Sequence, residues 1–155
     1  MLDVLKIVTA FTLAHSMTLA LATLRIVSIP SRITESAIAL SVVLAALNNL
    51  YPVIHGRRWT VAFGFGLIHG FGFASVLTDL LLPEGALALA LAGFNLGVEV
   101  GQIAIVVAFL PLAYLMRHTW LYGRFVLVGA SSAIVIIAAL WFIERSLDLR
   151  FLPIH

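Results

Sequence analysis

Five apolar stretches, each of about twenty residues or more, follow one another along this chain with only short polar breaks between them. A hydrocarbon core about 30 Å thick needs roughly 20 residues of helix at 1.5 Å each. Inside it every backbone amide must find a partner within the protein, so stretches of this length can only be helices. The spans predicted are residues 4–27, 32–51, 59–82, 85–115 and 125–143. With 63% hydrophobic residues and a mean hydropathy of +1.15, little chain remains for anything else. The fold class expected is all-α: an integral membrane bundle of five transmembrane helices with short loops, one domain over residues 1–155. The first apolar run is too long for the core of a signal peptide and no small-residue cleavage site follows, so it reads as the first span.

The breaks have chemical causes. Ser28, Pro30 and Ser31 end the first span, and Pro52, His55, Gly56, Arg57 and Arg58 end the second. Asp79, Pro83, Glu84 and Gly85 make a hairpin, and Arg117, His118 and Arg124 form the fourth connection. Connections this short predict that successive helices are antiparallel neighbours. Pro111 is expected to kink the fourth helix or end it early. Residues 144–155 alternate charged and apolar side chains and are expected to lie at the interface or fray. Trp59, Trp120, Tyr122 and Trp141 fall near span ends, where belt aromatics belong.

Charge is confined to those breaks. Nine Lys/Arg against seven Asp/Glu give a net +2, with no basic stripe to track a phosphate backbone, so no nucleic-acid partner is expected. Lys6, Arg57, Arg58, Arg117 and Arg124 fall on the N-terminal side and Arg25, Arg32, Arg145 and Arg150 on the other, a margin of one for a cytoplasmic N-terminus. There is no cysteine. That excludes disulfides, thiolate metal sites and cysteine nucleophiles, and leaves imidazole, carboxylate, amide and hydroxyl groups as the available metal ligands.

Against this background His15, His69 and Glu99 stand out, because each falls near the middle of an apolar span. A group of that kind at mid-bilayer costs a few kcal/mol and marks a function by default. Two imidazoles and a carboxylate brought from three helices to one depth form a metal-site pattern, and His15, His69 and Glu99 are the predicted ligands. Asn95, Glu99 and Gln102, spaced i, i+4 and i+7, share one face of the fourth helix, while Gly93, Gly97 and Gly101 make two small-xxx-small steps on the opposite face. The two amides could line the site or merely join helices. In the third span four glycines, Gly64, Gly66, Gly70 and Gly72, flank His69 and let neighbouring backbones approach. Thr12, one turn before His15, is expected to orient its ring, with Ser16 as further support. Glu35, at the start of the second span, could be hydrated, pair with Arg32, or mark one end of a path whose other end is Asn49. His55 and His118 sit in loops among arginines and read as solvated, as do Asp79 and Glu84.

Four blocks tie these residues to a known pattern. Residues 9–19 (TAFTLAHSMTL), 35–41 (ESAIALS), 63–74 (FGFGLIHGFGFA) and 94–102 (FNLGVEVGQ), with 141–145 (WFIER), closely resemble the signature blocks of the HupE/UreJ-like family of bacterial membrane proteins. The resemblance covers nearly the whole chain in order. It implies a multi-pass protein of the bacterial inner (cytoplasmic) membrane, related to nickel or cobalt permeases that accompany hydrogenase and urease maturation. It carries His15, Glu35, His69, Asn95, Glu99 and Gln102 over as the matching polar positions. Relatives usually have a preceding helix with an HxxxGxDH-like motif, which these residues lack, so a partner subunit, a further helix or a homo-oligomer is expected beside the lipid bilayer.

The function expected is a membrane permease for a divalent transition metal, with Ni²⁺, Co²⁺ or Zn²⁺ as substrate or bound ion; imidazole and carboxylate without thiolate suit all three. The alternative is an intramembrane metal-dependent hydrolase, because two histidines and a glutamate around an open position also describe a catalytic zinc site.

Overall fold

The computed structural model describes residues 2–54, 56–79, 83–120 and 122–149. It contains five long helices: α1 Leu2–Thr23, α2 Ser31–Leu50, α3 Arg58–Asp79, α4 Glu84–Met116 and α5 Ser131–Leu147. A π-helical segment, Tyr122–Ala130, leads into α5. Four apolar segments, in α1, α2, α4 and the stretch Phe125–Leu147, are long and apolar enough to cross a membrane. The protein is an all-helical membrane bundle. Pro30 and Pro83 stand at the N-caps of α2 and α4, where a missing amide hydrogen costs nothing. At the far end of α2 the Asn48 side-chain oxygen accepts from the backbone amides of Val53 and Ile54 at 3.1 and 2.9 Å, which turns the chain toward α3.

The helices do not pack in chain order. The principal contacts place α4 against α1, α1 against α3, α3 against α2, and α2 against α5. The sequence predicted that successive helices would be neighbours. Short loops bring helix ends together, but the glycines of α3 decide which faces meet. A Cβ at Gly66 would run into the Phe11 carbonyl and Ala14, and one at Gly70 into Thr18 Oγ1 and the His15 carbonyl. Only glycine lets α3 lie this close along α1, and these small-residue contacts outweigh adjacency in sequence. The pairing Phe11–Gly66 and His15–Gly70 makes the two helices parallel, as odd-numbered spans must be. Ala14, Ala39, Ala46 and Ala138 fill the core with little volume beside the larger Leu19, and all are buried.

Two other expectations change. α4 runs through Pro111 to Met116, so the proline does not terminate it. α5 extends to Leu147 and ends on Asp148 in the left-handed conformation, φ 56°, so residues 144–147 are helix and not tail. The remainder of the expected tail, 150–155, lies outside the described residues, as does His55.

Candidate metal centre

His15 is 1% exposed, yet neither of its ring nitrogens has a hydrogen-bond partner among the described residues. A neutral imidazole carries one donor and one acceptor, and leaving both unpaired in the interior costs roughly 1–3 kcal/mol each. Its surroundings are aromatic. Phe11 stacks on it at 5.9 Å between centroids, Phe94 stacks at 6.2 Å, and Phe73 meets it edge-on at 5.8 Å.

His69 lies against the same Phe11 ring, 5.4 Å between centroids and nearly perpendicular. The two imidazoles, one from α1 and one from α3, thus share one aromatic neighbour at mid-span. They are brought there by the glycine seam around Gly66 and Gly70. His69 Nε2 is 2.9 Å from the Ser41 hydroxyl of α2, which is itself 2.7 Å from the Ile38 carbonyl. Ser41 has a single proton, and the shorter bond, to Ile38, takes it. Nε2 must then carry a hydrogen and donate to Ser41 Oγ, which leaves Nδ1 with the lone pair. Holding one ring nitrogen as a donor so that the other faces a metal is how liganding histidines are oriented.

Glu99 does not join them. It is exposed on α4, and among the described residues no three His, Asp or Glu side chains are grouped so as to hold a metal. The two imidazoles stand together without the carboxylate that was expected beside them. α4 rests on α1 at the edge of the bundle and leaves Glu99 exposed there. Its neighbours on that face are used as joints. Thr12 Oγ1 donates to Gln102 Oε1 at 2.8 Å, and Ser16 Oγ donates to Asn95 Oδ1 at 2.9 Å. Thr12 and Ser16 thus fasten α4 to α1 and do not orient His15, and the joining role weighed for the amides is the one they take. Such interhelical bonds contribute about 0.6 kcal/mol each in membrane proteins.

Glu35 pairs with Arg145 of α5 at 2.7 Å and not with Arg32; Arg32 instead donates to the Ser146 carbonyl. Both contacts clamp α2 to α5 at one end. Asn49 is exposed on the last turn of α2, while its neighbour Asn48 makes the capping bonds. His118 accepts from Arg117 Nε at 3.0 Å in the loop after α4. The side chains of Asp79 and Glu84 lie outside the described ones.

Sequence reasoning missed Ser41, buried at 3%, although it is a polar residue deep in an apolar span. It also missed Phe11, Phe73 and Phe94, which periodicity cannot separate from ordinary apolar lining, and Glu144, which is 2% exposed near the end of α5.

A polytopic helical protein with a buried, incompletely satisfied pair of imidazoles at mid-span is the class these features define. The family model described as HupE / UreJ protein matches residues 1–145. The chain belongs to the HupE/UreJ family. No curated protein and no solved structure matches it.

Proposed function

We infer that this protein is a permease of the bacterial inner membrane that carries a divalent transition metal, with Ni²⁺ or Co²⁺ as substrate. The observation that carries the reading is His15: a nearly fully buried imidazole with two unpaired nitrogens, beside a second imidazole whose tautomer Ser41 fixes. The HupE/UreJ family is itself associated with nickel and cobalt transport, and neutral imidazole is a good ligand for both ions. His15 and His69 bind the ion in passage. Two protein nitrogens hold a cation loosely, and a carrier site must release what it binds. The hydrolase alternative gains nothing from the geometry, since no described carboxylate stands with the two histidines.

On the face of α4 opposite Glu99, nothing lies within 4 Å of a Cβ at Gly93, Gly97 or Gly101, and we infer that a second copy of the chain packs on this small-residue face.

Purified protein in liposomes should take up Ni²⁺ or Co²⁺ down a gradient, and His69→Ala should abolish uptake. Binding of either ion with no flux in the wild-type protein contradicts the permease reading.

A further inference from the structure

By their order along the spans, the two ends of the bundle differ in charge. The end that holds the start of α1 and the α2–α3 connection has Lys6, Arg57, Arg58, Arg117 and Arg124 against a single acid, Asp3. The opposite end sets Arg25, Arg32, Arg145 and Arg150 against Glu35, Asp79, Glu84, Glu144 and Asp148. Three of the five cations at the first end are gathered in one place. Lys6, Arg57 and Arg58 line a cavity of about 430 Å³ with Asp3, Trp59 and Val4. Asp3 answers only Lys6, through a long contact of 3.7 Å between exposed groups. Neither Arg57 nor Arg58 meets a carboxylate among the described residues.

A second cavity shares a wall residue with this one. Val4 also lines an almost wholly apolar groove between α1 and α4, formed with Leu5, Val8, Ile103, Val107 and Leu110, with a volume of about 240 Å³. The hydrogen bonds Thr12–Gln102 and Ser16–Asn95 make α1 and α4 antiparallel, so the groove descends from the basic end toward mid-span. A net-positive cavity beside an interfacial tryptophan, adjoining at Val4 an apolar furrow along the helices, has the two halves of a phospholipid binding site.

We propose that this end of the protein binds an anionic phospholipid, its phosphate headgroup held by Lys6, Arg57 and Arg58 and one acyl chain laid between α1 and α4. Charge complementarity selects the anionic headgroup over a zwitterionic one, and the groove selects a lipid over free phosphate. The site is separate from the imidazole pair, so the proposal stands or falls independently of metal transport.

The test is native mass spectrometry of the detergent-purified protein after exchange into vesicles of phosphatidylglycerol or of phosphatidylcholine. Phosphatidylglycerol should remain bound where phosphatidylcholine is lost. Since each basic residue near an anionic headgroup contributes about fivefold, the triple substitution Lys6→Gln, Arg57→Gln, Arg58→Gln should lower retention on the order of a hundredfold. Arg117→Gln, a cation at the same end but outside the cavity, should leave retention unchanged. Should the triple variant fail to fold, Val4→Trp, which blocks the junction between cavity and groove, carries the test and should also lower retention. Equal retention of the two lipids, or undiminished retention in a folded triple variant or in Val4→Trp, overturns the proposal. Displacement of the lipid by millimolar inorganic phosphate overturns it too, by making the cavity a phosphate site.

Discussion

The Ser41 hydroxyl of α2 stands 2.9 Å from Nε2 of His69 on α3, while its own proton is directed to the Ile38 carbonyl. The arrangement presents the other ring nitrogen of His69 with its lone pair available. Ser41→Ala should therefore leave the histidine in place but free its ring to rotate and change tautomer. Loss of such an orienting partner weakens metal affinity by about 10–100-fold. The measurement is a Ni²⁺ or Co²⁺ binding isotherm on the purified variant, and an unchanged isotherm contradicts the role given to Ser41.

The α1–α3 seam makes a prediction about stability. Gly70→Ala would push a methyl group into Thr18 and the backbone of α1, whereas Gly64 faces open space. Overpacking of this kind costs about 1–3 kcal/mol. Thermal unfolding in detergent should show a clear drop in Tm for Gly70→Ala and little change for Gly64→Ala. Equal behaviour of the two variants would mean that the helices do not meet as described.

The Glu35–Arg145 pair should contribute modestly. The charges approach to 2.7 Å, but Arg145 Nε makes no aligned hydrogen bond there, the side chains are 30% and 36% exposed, and ion pairs screened by solvent contribute about 0–1 kcal/mol. A double-mutant cycle with Glu35→Gln and Arg145→Gln should give a coupling energy within that range. A coupling of several kcal/mol would show that the pair is shielded, for instance by a second copy.

Much of the architecture was legible before any coordinates. Five apolar stretches dictated five long helices, because each needs its own hydrogen bonds in hydrocarbon. Two ionisable residues at mid-depth, His15 and His69, did fall together. The packing order was not legible, since it depends on which glycine faces which backbone, and Gly66 and Gly70 read no differently in sequence from Gly93 and Gly97. That ambiguity is why Glu99 was grouped with the histidines. Depth along a helix follows from counting residues, but azimuth around the bundle depends on the neighbour chosen. Thr12 and Ser16 were misread for the same reason: they share α1 with His15 but turn to Gln102 and Asn95.

The glycine face of α4 offers a clean test of oligomerisation, because the chain has no cysteine. Gly97→Cys, placed in membranes under oxidising conditions, should yield a disulfide-linked dimer. A cysteine at Gly64, another glycine with open space around it but on α3, should not. Absence of the α4 crosslink, together with a monomeric mass in detergent, contradicts a second copy on the glycine face.

The most direct test concerns His15, whose two ring nitrogens have no protein partner. Uptake of Ni²⁺ and Co²⁺ into proteoliposomes should be compared for the wild-type protein and for His15→Ala, with folding checked by circular dichroism. The account predicts saturable uptake by the wild-type protein and uptake at the level of empty liposomes for the folded variant. Wild-type uptake that persists undiminished in His15→Ala would contradict an ion path through the imidazole pair.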